Sequence, residues 1–183
     1  IWVAADGWSV EVIDQTKLPH KLEIVALKSA DDAAKAIKQM IVRGAPLIGA
    51  TAAYGLAMAL RADSSDESLE AACAMLAETR PTAINLRWAL NEVASAVRNR
   101  PRDERVAAAY ARASEICEED VETCRRIGEN GLPLIEEIAA KKGKVNLLTH
   151  CNAGWLGCVD WGTALAPIYM AYDKGIDIHV WVD

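Results

Sequence analysis

The first residues alternate in polarity. Trp2 and Val3 precede Asp6-Gly7, and Val10 and Val12 follow it with Ser9, Glu11 and Asp14 at the intervening positions. Alternation on both sides of Asp-Gly predicts a β-hairpin, with both central residues of a type I′ turn at positive φ. A third strand is expected over 22–27, after Pro19. From Ser29 the period lengthens to that of a helix. Ala34, Ile37, Lys38 and Ile41 recur at helical spacing, Ser29 with Asp32 reads as a capping box, and Gly44 supplies a left-handed stop. Pro46 suits the first turn of a second helix, expected over 47–60, which is apolar almost all round and therefore central. Ser64 with Glu67 opens a third helix through Leu69, Ala72, Cys73 and Leu76, which Arg80-Pro81-Thr82 ends. A fourth is expected over 84–98. A fifth runs through Val106, Tyr110, Ala113, Cys117, Val121 and Cys124 to Gly128, and a short separate helix follows Pro133 to about Ala140.

The Lys141-Lys142-Gly143-Lys144 turn marks a change of pattern. Val145 to Thr149 reads as a buried strand, His150 to Gly162 as turns, Thr163 to Tyr172 as a helix closed by Gly175, and Ile176 to Val182 as a second strand. A strand, crossover helix and strand in this order predict parallel pairing and a right-handed connection. The expected layout is an α+β N-terminal domain over residues 1–140, a small antiparallel sheet plus helices, followed over 141–183 by the first β-α-β unit of an α/β domain. The chain opens on Ile1 and stops directly after a strand-like run, so further sequence is expected downstream.

Composition narrows the function classes. Of 183 residues, 52% are hydrophobic and 25% charged, an ordinary globular balance that speaks against disorder and coiled coil. Lys and Arg total 20 against 26 Asp and Glu, for a net charge of −6, so the overall basic footprint of a nucleic-acid binder is missing and an anionic ligand needs a local positive site. Five cysteines form an odd set without CxxC spacing, which argues against a disulfide framework or a zinc site. With no signal-peptide pattern and no apolar run of membrane-spanning length, a reducing, cytoplasmic setting is expected.

Three segments carry residues suited to chemistry. In Val42-Arg43-Gly44-Ala45-Pro46, a glycine that permits close backbone approach precedes a helix start, whose amides bind phosphate readily, and Arg43 adds a bidentate anion donor. The alternative is a helix-to-helix turn in which Gly and Pro serve geometry alone. In Arg80-Pro81-Thr82-Ala83-Ile84-Asn85-Leu86, Thr82 caps a helix beside Arg80; a solvated arginine before an ordinary helix is the other reading. In Thr149-His150-Cys151-Asn152-Ala153-Gly154, Cys151 falls at the carboxyl end of the first strand of the β-α-β unit, where ligands of open α/β sheets sit. A thiol there serves as proton donor or nucleophile when a helix N-terminus or cation lowers its pKa; a buried small residue is the alternative. Cys158 is expected to pack. His150 either tunes the thiol or bonds backbone, His20 and His179 are structural, Trp155 and Trp161 flank the cysteine loop, Glu129 and Asn130 cap a helix end, and Glu118, Glu119, Asp120 and Glu122 form a solvated face.

Taken in order, these motifs resemble the 5-methylthioribose-1-phosphate isomerases and the wider family that includes ribose-1,5-bisphosphate isomerases and regulatory subunits of the translation-initiation guanine-nucleotide exchange factor. The resembling blocks are Asp14-Gln15 with Leu18-Pro19-His20, Met40 to Pro46, Ala52-Ala53-Tyr54-Gly55, Arg80 to Leu86, Thr149 to Gly154, Gly162 to Leu165, and Asp177 to Val180. The resemblance implies a C-terminal Rossmann-like domain, an active site between the domains, a homodimer, a phosphorylated-sugar substrate, and no metal or organic cofactor. It assigns Arg43, Gly44, Ala45 and Arg80 to substrate contacts, mainly with phosphate, and Cys151 to catalysis. Asp183 is similar to the aspartate opening the family's Asp-Glu-Thr-Arg-Pro motif, and the family's general acid/base aspartate would lie beyond it.

The implied activity is aldose–ketose isomerisation of 5-methylthioribose 1-phosphate to 5-methylthioribulose 1-phosphate, in methionine salvage, with no nucleic-acid or membrane partner. Ribose 1,5-bisphosphate or another sugar 1-phosphate is the alternative substrate, and a non-enzymatic exchange-factor-like subunit the alternative class. The isolated chain is expected to be inactive, with a C-terminal half supplied in the same polypeptide or separately. Gly154 to Trp161 departs from the small, apolar stretch of thermophilic and bacillar members, placing two tryptophans toward the substrate's sulfur end.

Overall fold

The computed structural model describes residues 1–151 and 153–183, which divide into two compact units, Ile1–Cys117 and Glu118–Asp183. In the first unit, β1 (Trp2–Val3), β2 (Val10–Ile13) and β3 (Ile24–Leu27) form an antiparallel sheet in the order β1-β2-β3, with Val3 opposite Val10 and Val10 opposite Leu27. The hairpin is present, but its turn differs from expectation. Gly7 has φ 78°, whereas Asp6 is not at positive φ, and residues 4–9 form a wider loop closed by the Ala4 amide donating to Ser9 O at 2.8 Å. The Asp6 carboxylate accepts from the Ser9 hydroxyl and from the Trp8 and Ser9 amides, so a side chain does the work a tight turn would otherwise do. The Ser9 hydroxyl, then these amides, hold its pKa below the ordinary carboxylate value.

Four helices follow: α1 (Ala30–Lys38), α2 (Ala45–Ala62), α3 (Asp66–Ala77) and α4 (Ile84–Val97). Ser29 caps α1, its Oγ accepting from the Asp32 amide at 3.1 Å. The helix stops at Lys38, short of Ile41, because Met40 takes the left-handed conformation (φ 61°) and the Val42 amide turns back to Ala36 O. The cap of α3 is Ser65, one residue after the expected Ser64; its Oγ accepts from the Ser68 amide. α2 is central as expected, with almost every residue from Leu47 to Leu60 buried. Its glycines admit neighbours closely: a Cβ at Gly55 would stand 2.8 Å from Ala33 Cβ on α1, and one at Gly49 would stand 3.1 Å from Asn85 O on α4. Leu56, Leu60, Leu76, Leu86, Val93 and Val97 complete a fully buried core, each contributing about 1.5–3 kcal/mol from burial. Arg105 is buried, pairs with Asp66 at 2.7 Å and donates to the carbonyls of Ser64, Arg98 and Arg100, satisfying backbone acceptors near the start of α3 and the end of α4.

The division between units falls inside α5 (Arg102–Lys142), one continuous helix where two were expected. Pro133 lies within it, and Gly128 and Gly131 are not stops. A Cβ on Gly128 would stand 2.7 Å from Met170 Cε, and one on Gly131 2.9 Å from Pro167 Cβ, so both glycines make room for the helix α6 (Ala166–Asp173). Glu129 and Asn130 accordingly sit mid-helix rather than at an end; Glu129 pairs with Arg125, and the Asn130 amide donates to Arg126 O.

In the second unit, β4 (Val145–Thr149) and β5 (Ile178–Val182) pair in parallel from Val145 opposite Ile178 to Thr149 opposite Val182, with α6 between them in sequence. β5 begins two residues later than expected and α6 three. The unit's core is Ile135, Val145 and Ala171, flanked by Leu132, Ala139, Leu147, Ile176 and Ile178.

Candidate functional site

Arg43 and Gly44 occupy the turn between α1 and α2, and Ala45 opens α2. Gly44, at φ 89°, is the residue before α2 rather than the stop of α1, and Pro46 follows in the first helical turn. The turn is held by the Gln15 amide, which donates to Ile41 O at 3.0 Å, and by the fully buried Val42. Neither α2 nor α4 has a side-chain cap, in contrast to α1 and α3. Thr82 does not cap α4; Ala83 takes that place, because the Ala83 amide folds back to Arg80 O at 3.0 Å and starts the helix one residue later. The first-turn amides of both helices therefore keep the partial positive charge that a capping oxygen would screen.

Arg43 is exposed and Arg80 partly exposed, and neither guanidinium has a protein partner among the described residues. Asn85, in the first turn of α4, lies against Gly49 of α2. The starts of these two helices are thus joined within the first unit, each preceded by an arginine. Two guanidinia and two uncapped helix starts suit the binding of a phosphate dianion.

Cys151 belongs to the second unit. It is exposed, follows β4 by two residues, and has φ 69°, a left-handed conformation uncommon outside glycine. Its amide donates to Asp183 O at 3.3 Å, while the Asp183 amide donates to Thr149 O at 3.1 Å, so the ladder between β4 and β5 runs past the formal strand ends and fixes the thiol at their carboxyl edge. The His150 ring bonds the Asp183 carboxylate (Nδ1 to Oδ2, 2.7 Å) instead of backbone. Of the expected motif, Asn152 lies outside the described residues.

The chain after Cys151 folds on itself. The Ala164 amide donates to Ala153 O at 2.9 Å, Trp161 and Gly162 are at φ 62° and 88°, and a 3-10 turn spans Trp155–Gly157. Trp155 is exposed and Trp161 partly so. Cys158 is buried, as expected, against Cys124 of α5. Asp120, assigned above to a solvated face, is partly buried, and its Oδ2 accepts from the Val159 amide at 2.7 Å. The four-residue spacing of Asp120 and Cys124 was visible in the sequence; the approach of Cys158 was not.

Burial pushes the Cys124 thiol up to about 12 and, reinforced by Glu70, the Cys73 thiol up to about 11. Brief iodoacetamide treatment of the native protein at about pH 8 is therefore expected to alkylate Cys151 and spare Cys124, as read by peptide mass spectrometry. Equal modification of both would contradict the contrast between an exposed Cys151 and a buried Cys124.

Residues 41–183 match the Initiation factor 2 subunit family. Curated relatives named methylthioribose-1-phosphate isomerase include one from Acidiphilium cryptum, 63% identical over all of this chain and 50% of its own length. Another, from Paramagnetospirillum magneticum, is 61% identical over all of this chain and 51% of its own length. The chain thus spans about half the length of the curated relatives it matches. Among solved structures, the translation initiation factor eIF-2B subunit delta from A. fulgidus is similar with a TM-score of 0.84 at 39% identity, covering 100% of this chain and 53% of that one. The 5-methylthioribose 1-phosphate isomerase from Pyrococcus horikoshii OT3 gives 0.82 at 37% identity, covering 96% of this chain and 50% of that one.

Proposed function

Because the chain belongs to the Initiation factor 2 subunit family, we propose that the whole protein isomerises 5-methylthioribose 1-phosphate to 5-methylthioribulose 1-phosphate. The observation that carries this reading is the exposed Cys151 thiol, held in a left-handed conformation at the carboxyl edge of β4 and β5. The names of relatives at 55–63% identity support it.

The chemistry defines what the residues must do. Phosphate on the anomeric oxygen blocks the spontaneous opening of a free hemiacetal, so the ring C–O bond is cleaved with an acid supplying a proton to the ring oxygen. Hydrogen then passes from C2 to C1, leaving the ketone at C2, through an enolate-like intermediate or as a hydride. In this reading Cys151 takes part in that transfer, while Arg43, Arg80 and the amides of Gly44 and Ala45 hold the phosphate. Residues 1–140 then form the N-terminal domain and 141–183 open a Rossmann-like catalytic domain. The whole protein is a cytoplasmic homodimer, and the remaining length of the relatives is supplied in the same polypeptide or as a companion chain, which intact mass distinguishes.

Assay of the whole protein against 5-methylthioribose 1-phosphate, ribose 1,5-bisphosphate and ribose 1-phosphate tests the substrate; preference for either of the latter two would replace the first. Arg43→Ala is expected to raise KM roughly ten- to a hundredfold with little change in kcat, the loss of a charged hydrogen bond worth about 1.5–3 kcal/mol. An unchanged KM would remove Arg43 from the phosphate site.

The likeness to the eIF-2B subunit favours a second reading, a sugar-phosphate-binding subunit without turnover. Sugar-phosphate binding without conversion, together with co-purification of exchange-factor subunits, would select it.

A further inference from the structure

We propose that Asp120, Cys124 and Cys158 together bind one thiophilic divalent cation of the zinc class. Asp120 and Cys124 stand four residues apart on α5 and so share a face. Cys158 comes to them from the loop after the Trp155–Gly157 turn, and one ligand atom from each of the three lies within 4.8 Å of the others. In a tetrahedral zinc site, with metal–sulfur distances of about 2.3 Å and metal–oxygen of about 2.0–2.2 Å, ligand atoms stand about 3.4–3.8 Å apart. Closing the cluster on a cation thus needs the ligand atoms to approach one another by up to about 1 Å.

The surroundings are those of a ligand set. The Val159 amide orients the Asp120 carboxylate at 2.7 Å, as outer partners orient metal ligands. Cys124 is fully buried and Cys158 is 3% exposed. Thiolates and a carboxylate gathered in a desolvated site are stable only with positive charge beside them. A divalent cation supplies that charge, releasing the two thiol protons to solvent as it binds. Two thiolates select zinc, cadmium or cobalt over magnesium or calcium, and water completes the fourth position. The bound cation ties the loop that follows Cys151 to α5. None of the three residues has a part in the isomerisation proposed above, so the two readings stand or fall separately.

The test uses the whole protein, reduced and freed of metal with a chelator, then titrated with cadmium or cobalt. A thiolate-to-metal charge-transfer band saturating at one equivalent is expected, with zinc competing for it and raising the melting temperature by several degrees. C158S and C158A should each weaken binding at least about a hundredfold and abolish the thermal shift, since even outer partners of a metal site are worth roughly ten- to a hundredfold. Asp120→Asn should weaken binding while the charge-transfer band persists. The loop position of Cys158 keeps its variants informative should C124S fail to fold. Absence of the band in reduced protein, or its persistence at full strength in C158A, would overturn the proposal. So would a two-hydrogen mass loss locating a disulfide between Cys124 and Cys158 in protein that then takes up no cation after reduction.

Discussion

Cys151→Ser in the whole protein is expected to lower kcat by about 10²–10⁴-fold, the usual contribution of a group that moves a proton, while KM stays near its original value. Serine is nearly the same size and keeps the backbone, so the φ of 69° and the Asp183 bond are retained and only the acidity and nucleophilicity of the side chain change. A companion variant separates chemistry from folding. A non-glycine residue in a sparsely populated backbone region costs about 1–3 kcal/mol, and Cys151→Gly relieves that strain at this position. It should melt no lower than the parent protein and still have lost turnover. Steady-state kinetics and thermal unfolding of both variants provide the check; unchanged turnover in either would remove Cys151 from the reaction.

The largest effect on stability is expected at Gly162, where alanine should cost about 3 kcal/mol or more in unfolding by denaturant. Two penalties coincide. The residue sits at φ 88°, where an L side chain is strained, and an added Cβ would fall 2.3 Å from the Gly154 carbonyl carbon and 2.5 Å from the Trp155 amide nitrogen. Neither neighbour is a flexible side-chain end, so the loop from Ala153 to Leu165 must open to accept it. By contrast, Gly143→Ala meets no atom within 4 Å and carries the backbone penalty alone, so it should cost less. Equal destabilisation by the two substitutions would show that the close contact around Gly162 adds nothing.

The elements were largely legible in the sequence because most of them follow from local period and punctuation. The alternation around Val10 and Val12 marked β2, the all-apolar run from Leu47 marked a central α2, and Val145 to Thr149 became β4 with the expected bounds. The errors lay where a local signal had two physical meanings. Gly128, read as a helix stop, is a packing glycine beneath Met170; Gly44, read as the end of one helix, begins the next; and Asp6-Gly7, read as a two-residue turn, is a wider loop filled by a carboxylate. A glycine tolerates left-handed backbone and close neighbours alike, and its own position does not say which is needed.

The candidate chemistry divides the same way. That Cys151 ends a strand and that Arg43 and Arg80 precede helices follows from sequence, since each depends on residues a few positions away. That Met40 rather than Gly44 turns α1 aside and that Ala83 rather than Thr82 opens α4 rest on backbone bonds spanning at most six residues, from Val42 to Ala36 O and from Ala83 to Arg80 O, whereas that Asp120 leaves its charged neighbours to meet Val159 and Cys158 was decided only by tertiary structure. Hydrogen bonds and burial between distant segments carry more free energy than a local capping or turn preference, and a linear chain holds no local record of which distant groups will meet.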